Sequence, residues 1–226
     1  YAIISSQLYD TDTAERIFKK VIGMNPDNAL AHKDLGVIYL NKRLFDYAKD
    51  EFKTALNLAP DNYDIVFEYA NYLYSVGNYK EADEYYEKAL SLNDDVIAKT
   101  LRAMNKIELN ELDKAKELID NALKQEPHHE YIQFMAGRIY FALNEFDTAK
   151  RFLIHSIEQN PDIESKNLLA LTYFGLKEYK NANNIFENLL TTNPDNISLL
   201  YNSAQCYEHL EEKDKALEKL YKLTDI

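Results

Sequence analysis

The sequence predicts an all-α fold, an α-solenoid of helix–turn–helix repeats, from three observations. Its prolines are phased: Pro26, Pro60, Pro127, Pro161 and Pro194 lie 34, 67, 34 and 33 residues apart, and 67 is 34 plus 33. An alanine keeps the same period without a gap, at Ala14, Ala48, Ala82, Ala115, Ala149, Ala182 and Ala216. Large residues flank the alanines at offsets of three and four, which share one face only in a helix. Self-similarity on a period of roughly 20–50 residues is the mark of a repeat array.

Each element of the unit has a local reason. Four residues after each alanine sits Phe18, Phe52, Tyr86, Ile119, Leu153, Phe186 or Leu220, and three before it sits Thr11, Phe45, Tyr79, Leu112, Phe146, Tyr179 or Lys213. A large–small–large stripe lets a second helix approach closely over the alanine, and this segment is helix B. The proline, twelve residues past the alanine, ends it. Proline lacks an N–H and disfavours helix in the residue before it. Asp and Asn then follow, as in Pro26-Asp27-Asn28 and Pro194-Asp195-Asn196, and cap the next helix by accepting from its orphan N–H groups. That next segment, helix A, is again apolar at helical spacing, as at Leu35, Gly36 and Tyr39 or Leu169, Ala170 and Tyr173. A tight turn such as Val76-Gly77-Asn78 returns the chain to helix B.

This pattern resembles the tetratricopeptide repeat family over essentially the whole chain. The stretch Ala29 to Asn62 matches at Leu35, Gly36, Tyr39, Ala48, Phe52, Ala55 and Pro60, with His32 where the family often has Trp. The phasing gives one array over 1–226: a partial unit 1–28, then 29–62, 63–95, 96–129, 130–162, 163–196 and a partial 197–226. Both ends cut through a unit, so the chain is expected to be a segment of a longer protein. The resemblance implies a right-handed superhelix whose helices A line a concave groove. One unit cannot bury its own apolar face; stacked neighbours make the core continuous.

The resemblance also implies where a partner would lie. Carried over place by place, the groove of unit 29–62 presents Lys33, Val37 and Asn41, and that of unit 63–95 presents Phe67, Asn71 and Tyr74. Unit 96–129 contributes Met104, and unit 130–162 contributes Tyr131, Phe134, Arg138 and Phe141. Unit 163–196 adds Asn167, Leu171 and Phe174, and the last unit adds Tyr201 and Gln205. Asn71, Asn167 and Gln205 offer donors and acceptors to an extended backbone. The aromatic rings offer anchors of the kind that dominate binding energy. The competing reading is that such rings pack on neighbouring helices. The two-carboxylate clamp known in one branch of the family is not expected, because Val37, Glu68, Ile97 and Leu101 stand at its places.

The unit 96–129 departs from the rest. It follows the one missing proline, whose place Asp94 takes, and its helix A carries Lys99, Arg102 and Lys106 at offsets of three and four. A rotated helix A is one expectation, with Ile97, Leu101, Met104 and Ile107 as its packing face. The basic stripe then either binds an acidic partner segment or snorkels to water on its aliphatic stems.

Composition bounds the function. The 226 residues are 46% hydrophobic with 18 Tyr and 10 Phe but only 5 Gly and 5 Pro, which excludes a disordered or low-complexity chain. A net charge of −12 argues against binding nucleic acid or anionic lipid through phosphates. No apolar run approaches the ~18 residues of a membrane span. The single Cys206 excludes an intrachain disulfide and reads as buried and inert. His128-His129-Glu130 reads as a solvated loop, and His32 and His155 read as packing. No catalytic, cofactor or metal site is expected. The expectation is therefore a non-catalytic scaffold that binds a peptide or helical segment of another protein, with self-association as a further option and a cytoplasmic location. The alternative is an accessory array that positions an enzymatic or membrane- and envelope-assembly neighbour.

Overall fold

The computed structural model describes residues 11–224, and those residues form thirteen helices and no strand. The remainders of the partial units 1–28 and 197–226 lie outside the described residues. Helix α1 (Thr11–Met24) is the helix B of the first unit. Helices A and B then alternate: α2 (Ala29–Asn41) and α3 (Phe45–Leu58), α4 (Tyr63–Ser75) and α5 (Tyr79–Leu92), α6 (Val96–Glu108) and α7 (Leu112–Gln125). They continue with α8 (Glu130–Ala142) and α9 (Phe146–Gln159), α10 (Ile163–Gly175) and α11 (Tyr179–Thr192), α12 (Ile197–His209) and α13 (Lys213–Thr224). The chain divides into two compact units, α1–α6 and α7–α13, and the division falls between Glu111 and Leu112, inside the fourth repeat.

Helix starts follow the predicted chemistry. The side chains of Asn28, Asn62, Asp95, Asp162 and Asn196 accept from the backbone N–H three residues on, at 2.8–3.2 Å. His129, at the same place before α8, makes no such bond. The six described helices A end alike: one turn residue takes a left-handed conformation, at Arg43, Gly77, Asn110, Asn144, Lys177 and Glu211, with φ of 56–78°. The next residue's N–H returns to the last turn of helix A, as from Leu44 to the Tyr39 carbonyl at 2.8 Å.

The breaker is also held from the next helix. The fourth residue of helix A reaches back to it in three repeats. His32 Nε2 meets the Pro26 carbonyl at 2.9 Å, the Gln133 amide donates to the Pro127 carbonyl, and Lys99 Nζ pairs with Asp94 at 2.5 Å. Where the proline is missing, an ion pair to its replacement ties down the same bend. His32 also contacts Glu51 at 2.6 Å through Nδ1, so it is a polar brace between α2 and α3 rather than packing alone.

The core is built on the alanine stripe. Ala48, Ala82, Ala115, Ala149 and Ala182 are fully buried, as are Phe52, Ile119, Leu153 and Phe186 four residues on. The residues three before the alanine sit at the edge: Phe45 and Leu112 are exposed, and Tyr79, Phe146 and Tyr179 half-exposed. In the first unit Leu35, Tyr39, Phe52, Tyr69, Tyr72, Leu73 and Tyr86 form the cluster. In the second, Phe186, Leu189, Leu190, Leu199, Leu200 and Cys206 do so. Burial pushes the Cys206 thiol up to about 12, so it stays protonated and unreactive.

Close helix approach explains two glycines. A Cβ on Gly36 would lie 3.2 Å from the Phe52 ring, and one on Gly137 would lie 2.6 Å from Leu153 Cγ. The Leu153 branch point cannot swing aside as a chain end can. Gly137→Ala should therefore destabilise by about 1–2 kcal/mol, overpacking outweighing the gain in helix propensity. Gly23→Ala, with nothing within 4 Å, should instead stabilise by roughly 0.5–1 kcal/mol. Urea unfolding of the two variants beside the parent chain measures both signs.

Candidate partner-binding surface

The groove places lie on helices A in both units, and most are neither buried nor free. In the first unit Lys33, Val37, Phe67, Asn71 and Tyr74 are half-buried, Asn41 is exposed and Met104 is buried at 6% exposure. Phe67 stacks on Tyr63 with centroids 5.6 Å apart and meets the edge of Tyr86 at 6.3 Å. Tyr86 donates its hydroxyl to Asn71 Oδ1 at 2.8 Å, and Asn71 Nδ2 donates to Glu68 at 3.3 Å. Asn71 is thereby engaged at both ends of its amide. Burial raises the Glu68 carboxyl, opposed by that bond from Asn71. Lys33 pairs with its neighbour Asp34 at 2.7 Å.

In the second unit the same places hold a more open row. Tyr131, Phe134, Phe141, Asn167, Leu171, Phe174 and Gln205 are half-buried, and Tyr201 is 50% exposed. The Arg138 guanidinium lies 5.7 Å from the Phe134 centroid and 3.7 Å from Glu164, which ties α8 to α10. Phe174 meets Tyr179 and His209 edge-on at 5.2 and 5.5 Å, and His209 stacks flat on Tyr179 at 4.2 Å, which ties α10 to α12. Phe141 packs edge-on against Phe146. Gln205 donates to the Tyr201 hydroxyl at 3.2 Å. Asn167 Oδ1 is buried and has no hydrogen-bond partner among the described residues.

The basic stripe of α6 is turned inward. Lys99 and Lys106 are buried at 8% and 4% exposure, whereas Ile97, Leu101 and Ile107 are only half-buried, so the expected rotation of helix A does not occur. Arg102 grips Asp83 on α5 with two bonds, at 2.9 and 3.3 Å, and reaches Glu87 at 3.1 Å. Lys106 Nζ pairs with Asp83 at 2.7 Å and Glu111 at 3.0 Å. Burial alone would raise the Asp83 carboxyl, but the bonds from Arg102 and Lys106 outweigh it and hold it below the usual carboxylate range. Between them lies Asn105, fully buried, its amide donating to the Tyr79 carbonyl at 2.9 Å. Sequence reading missed Asp83 as the counter-ion. The available signal was its place beside the phased Ala82, which points it toward the following helix A.

Among the described residues no helix is long and apolar enough to cross a membrane. Models of the tetratricopeptide repeat match residues 63–96 and 106–171, and one such model matches both 7–62 and 167–225, together just over half of the chain. No curated protein matches. Among solved structures, the APC/C hetero-tetramer Cut9–Hcn1 superposes with a TM-score of 0.83 at 16% identity over 94% of this chain. The chain spans only 42% of that one. The type IV pilus biogenesis factor PilW gives 0.77 at 18% identity, covering 85% of this chain and 90% of its own. PilF of Pseudomonas aeruginosa gives 0.73 at 19% identity, covering 87% and 90%. At these identities the likeness is one of fold.

Proposed function

The chain belongs to the tetratricopeptide repeat family, and from that premise we propose that it is a non-catalytic scaffold whose helix A faces hold a peptide or helical segment of a partner protein. The observation that carries this is the row of half-exposed rings on the helices A of the second unit, Phe134, Phe174 and Tyr201. Rings held at one edge by neighbours keep their rotamers while one face stays wet, so covering that face costs little ordering entropy. The acidic balance favours protein over nucleic acid as the partner.

The alternative, an accessory array that positions a neighbour in an envelope assembly, draws on the likeness to PilW and PilF. It differs in needing no open groove. A combined Phe134→Ala, Arg138→Ala and Asn167→Ala variant separates the two. On the scaffold reading it keeps its helical circular dichroism and loses the proteins that the parent chain captures from extract. Undiminished capture by a folded variant would remove the groove from consideration.

A further inference from the structure

A second contact repeats along the array, and in one repeat its chemistry is exchanged. The residue after the breaker is Asp27, Asp61, Asp95, Asp162 or Asp195, but His128 before α8. Six residues past the phased alanine, helix B carries Thr54, Lys88, Asn121, His155, Asn188 or Lys222. Where these places hold Asp and Lys the two side chains meet: Lys88 is 3.1 Å from Asp61, and Lys222 is 3.1 Å from Asp195. His128 and His155 meet in the same way, with ring centroids 5.9 Å apart and planes at 60°. Both members of an ion-pair position are thus imidazoles. Two neutral rings at that position attract weakly, and two protonated rings repel. A shared cation that accepts nitrogen lone pairs reconciles them.

The surroundings of His155 are arranged for that role. Its Nε2 accepts from the Gln159 amide at 2.9 Å, and its Nδ1 lies 3.8 Å from Glu158. Because the Gln159 amide donates to Nε2, the ring proton sits on Nδ1, and the Nε2 lone pair is the one that can take a metal. Gln159 also bridges to the His128 carbonyl at 3.5 Å and is exposed, so it can swing away. A metal–nitrogen bond of about 2.0–2.1 Å puts the centroids of two imidazole ligands at the tetrahedral angle roughly 5.2 Å apart. The observed 5.9 Å is within a small side-chain rotation of that, and His128 is exposed.

We propose that His128 and His155 form a two-imidazole site for a borderline divalent cation of the zinc, copper or nickel class. Nitrogen donors select this class over calcium and magnesium, which take oxygen. Among the described residues no group of three or more His, Cys, Asp and Glu side chains can hold a metal, so the protein supplies two ligands and water fills the other positions. The ion is exchangeable, and it fastens the loop ahead of α8 to α9 where other repeats use an ion pair.

Calorimetric titration of the whole chain with Zn2+ alone, and separately with Cu2+, tests this. One saturable site is expected at neutral pH. His128→Ala and His155→Ala should each weaken it by about tenfold or more, and Glu158→Gln by less. His129→Ala, next in sequence, should leave it unchanged. All these positions are exposed or half-exposed, and circular dichroism verifies the fold of each variant. Histidine-detected NMR should show Zn2+ shifting the rings of His128 and His155 but not those of His32 and His209. Parent-like affinity in His155→Ala, or no saturable binding to the parent chain, would overturn the site.

Discussion

Replacing Phe52 with alanine should destabilise the first unit by about 3–5 kcal/mol. The ring is fully buried, meets Tyr69 and Tyr72 at centroid distances of 6.2 and 5.6 Å, and leaves no room for a Cβ at Gly36. Its neighbours cannot collapse into the space. Tyr69 and Tyr72 stack on each other, and Tyr69 is fixed edge-on by Tyr85 at 4.7 Å. In a repeat array each unit contacts only its neighbours, so the loss should stay local. Hydrogen exchange read by mass spectrometry should show α2–α4 losing protection first, while α10–α12 keep theirs. A uniform loss over the whole chain would mean that the array unfolds as one cooperative block.

Asp83→Asn should destabilise by about 3 kcal/mol at neutral pH, because it strands Arg102 and Lys106 at a largely buried site. Burial of the pair is by itself unfavourable, so the effect measures the orphaned cations more than the value of the bridge. The pH dependence has a definite sign. Asp83 is depressed in the folded state, so its contribution is fully present above the unfolded aspartate value of about 3.9 and is lost as pH falls through the lower folded value. Urea midpoints of the parent and Asp83→Asn chains should therefore differ most at neutral pH and converge in strong acid. A gap that persists unchanged into strong acid would show that the carboxylate's charge is not what matters.

The regular part of the fold was legible because its cause is periodic. Ala48, Ala82 and Ala149 recur in phase, and the proline breaks recur with them, so helix type, order and burial follow from spacing. What could not be read are contacts between side chains that no period links. Lys99, Arg102 and Lys106 looked like a free basic face because charged side chains are ordinarily solvated. The inward placement of Arg102 and Lys106 depends on Asp83, 19 and 23 residues away on another helix, and that of Lys99 on Asp94. The groove places were legible only as positions. That Asn71 is engaged at both ends while the buried Asn167 Oδ1 has no hydrogen-bond partner among the described residues depends on Tyr86 and Glu68, whose places next to Asn167 supply no such bond. His128 showed no ligand at helical spacing, because its neighbour His155 lies one helical hairpin away.

The left-handed residue that closes each described helix A separates the turn from its side chain. Gly77, Asn110 and Asn144 are of the types that tolerate this conformation, but Arg43, Lys177 and Glu211 are not, and all six adopt the same bend. The instruction to reverse direction is therefore carried by the helices on either side, which leave one residue of slack and one geometry that fills it. Such a residue is released from any duty of recognition or packing. Its charge is free to drift from one descendant to the next without disturbing the turn it closes.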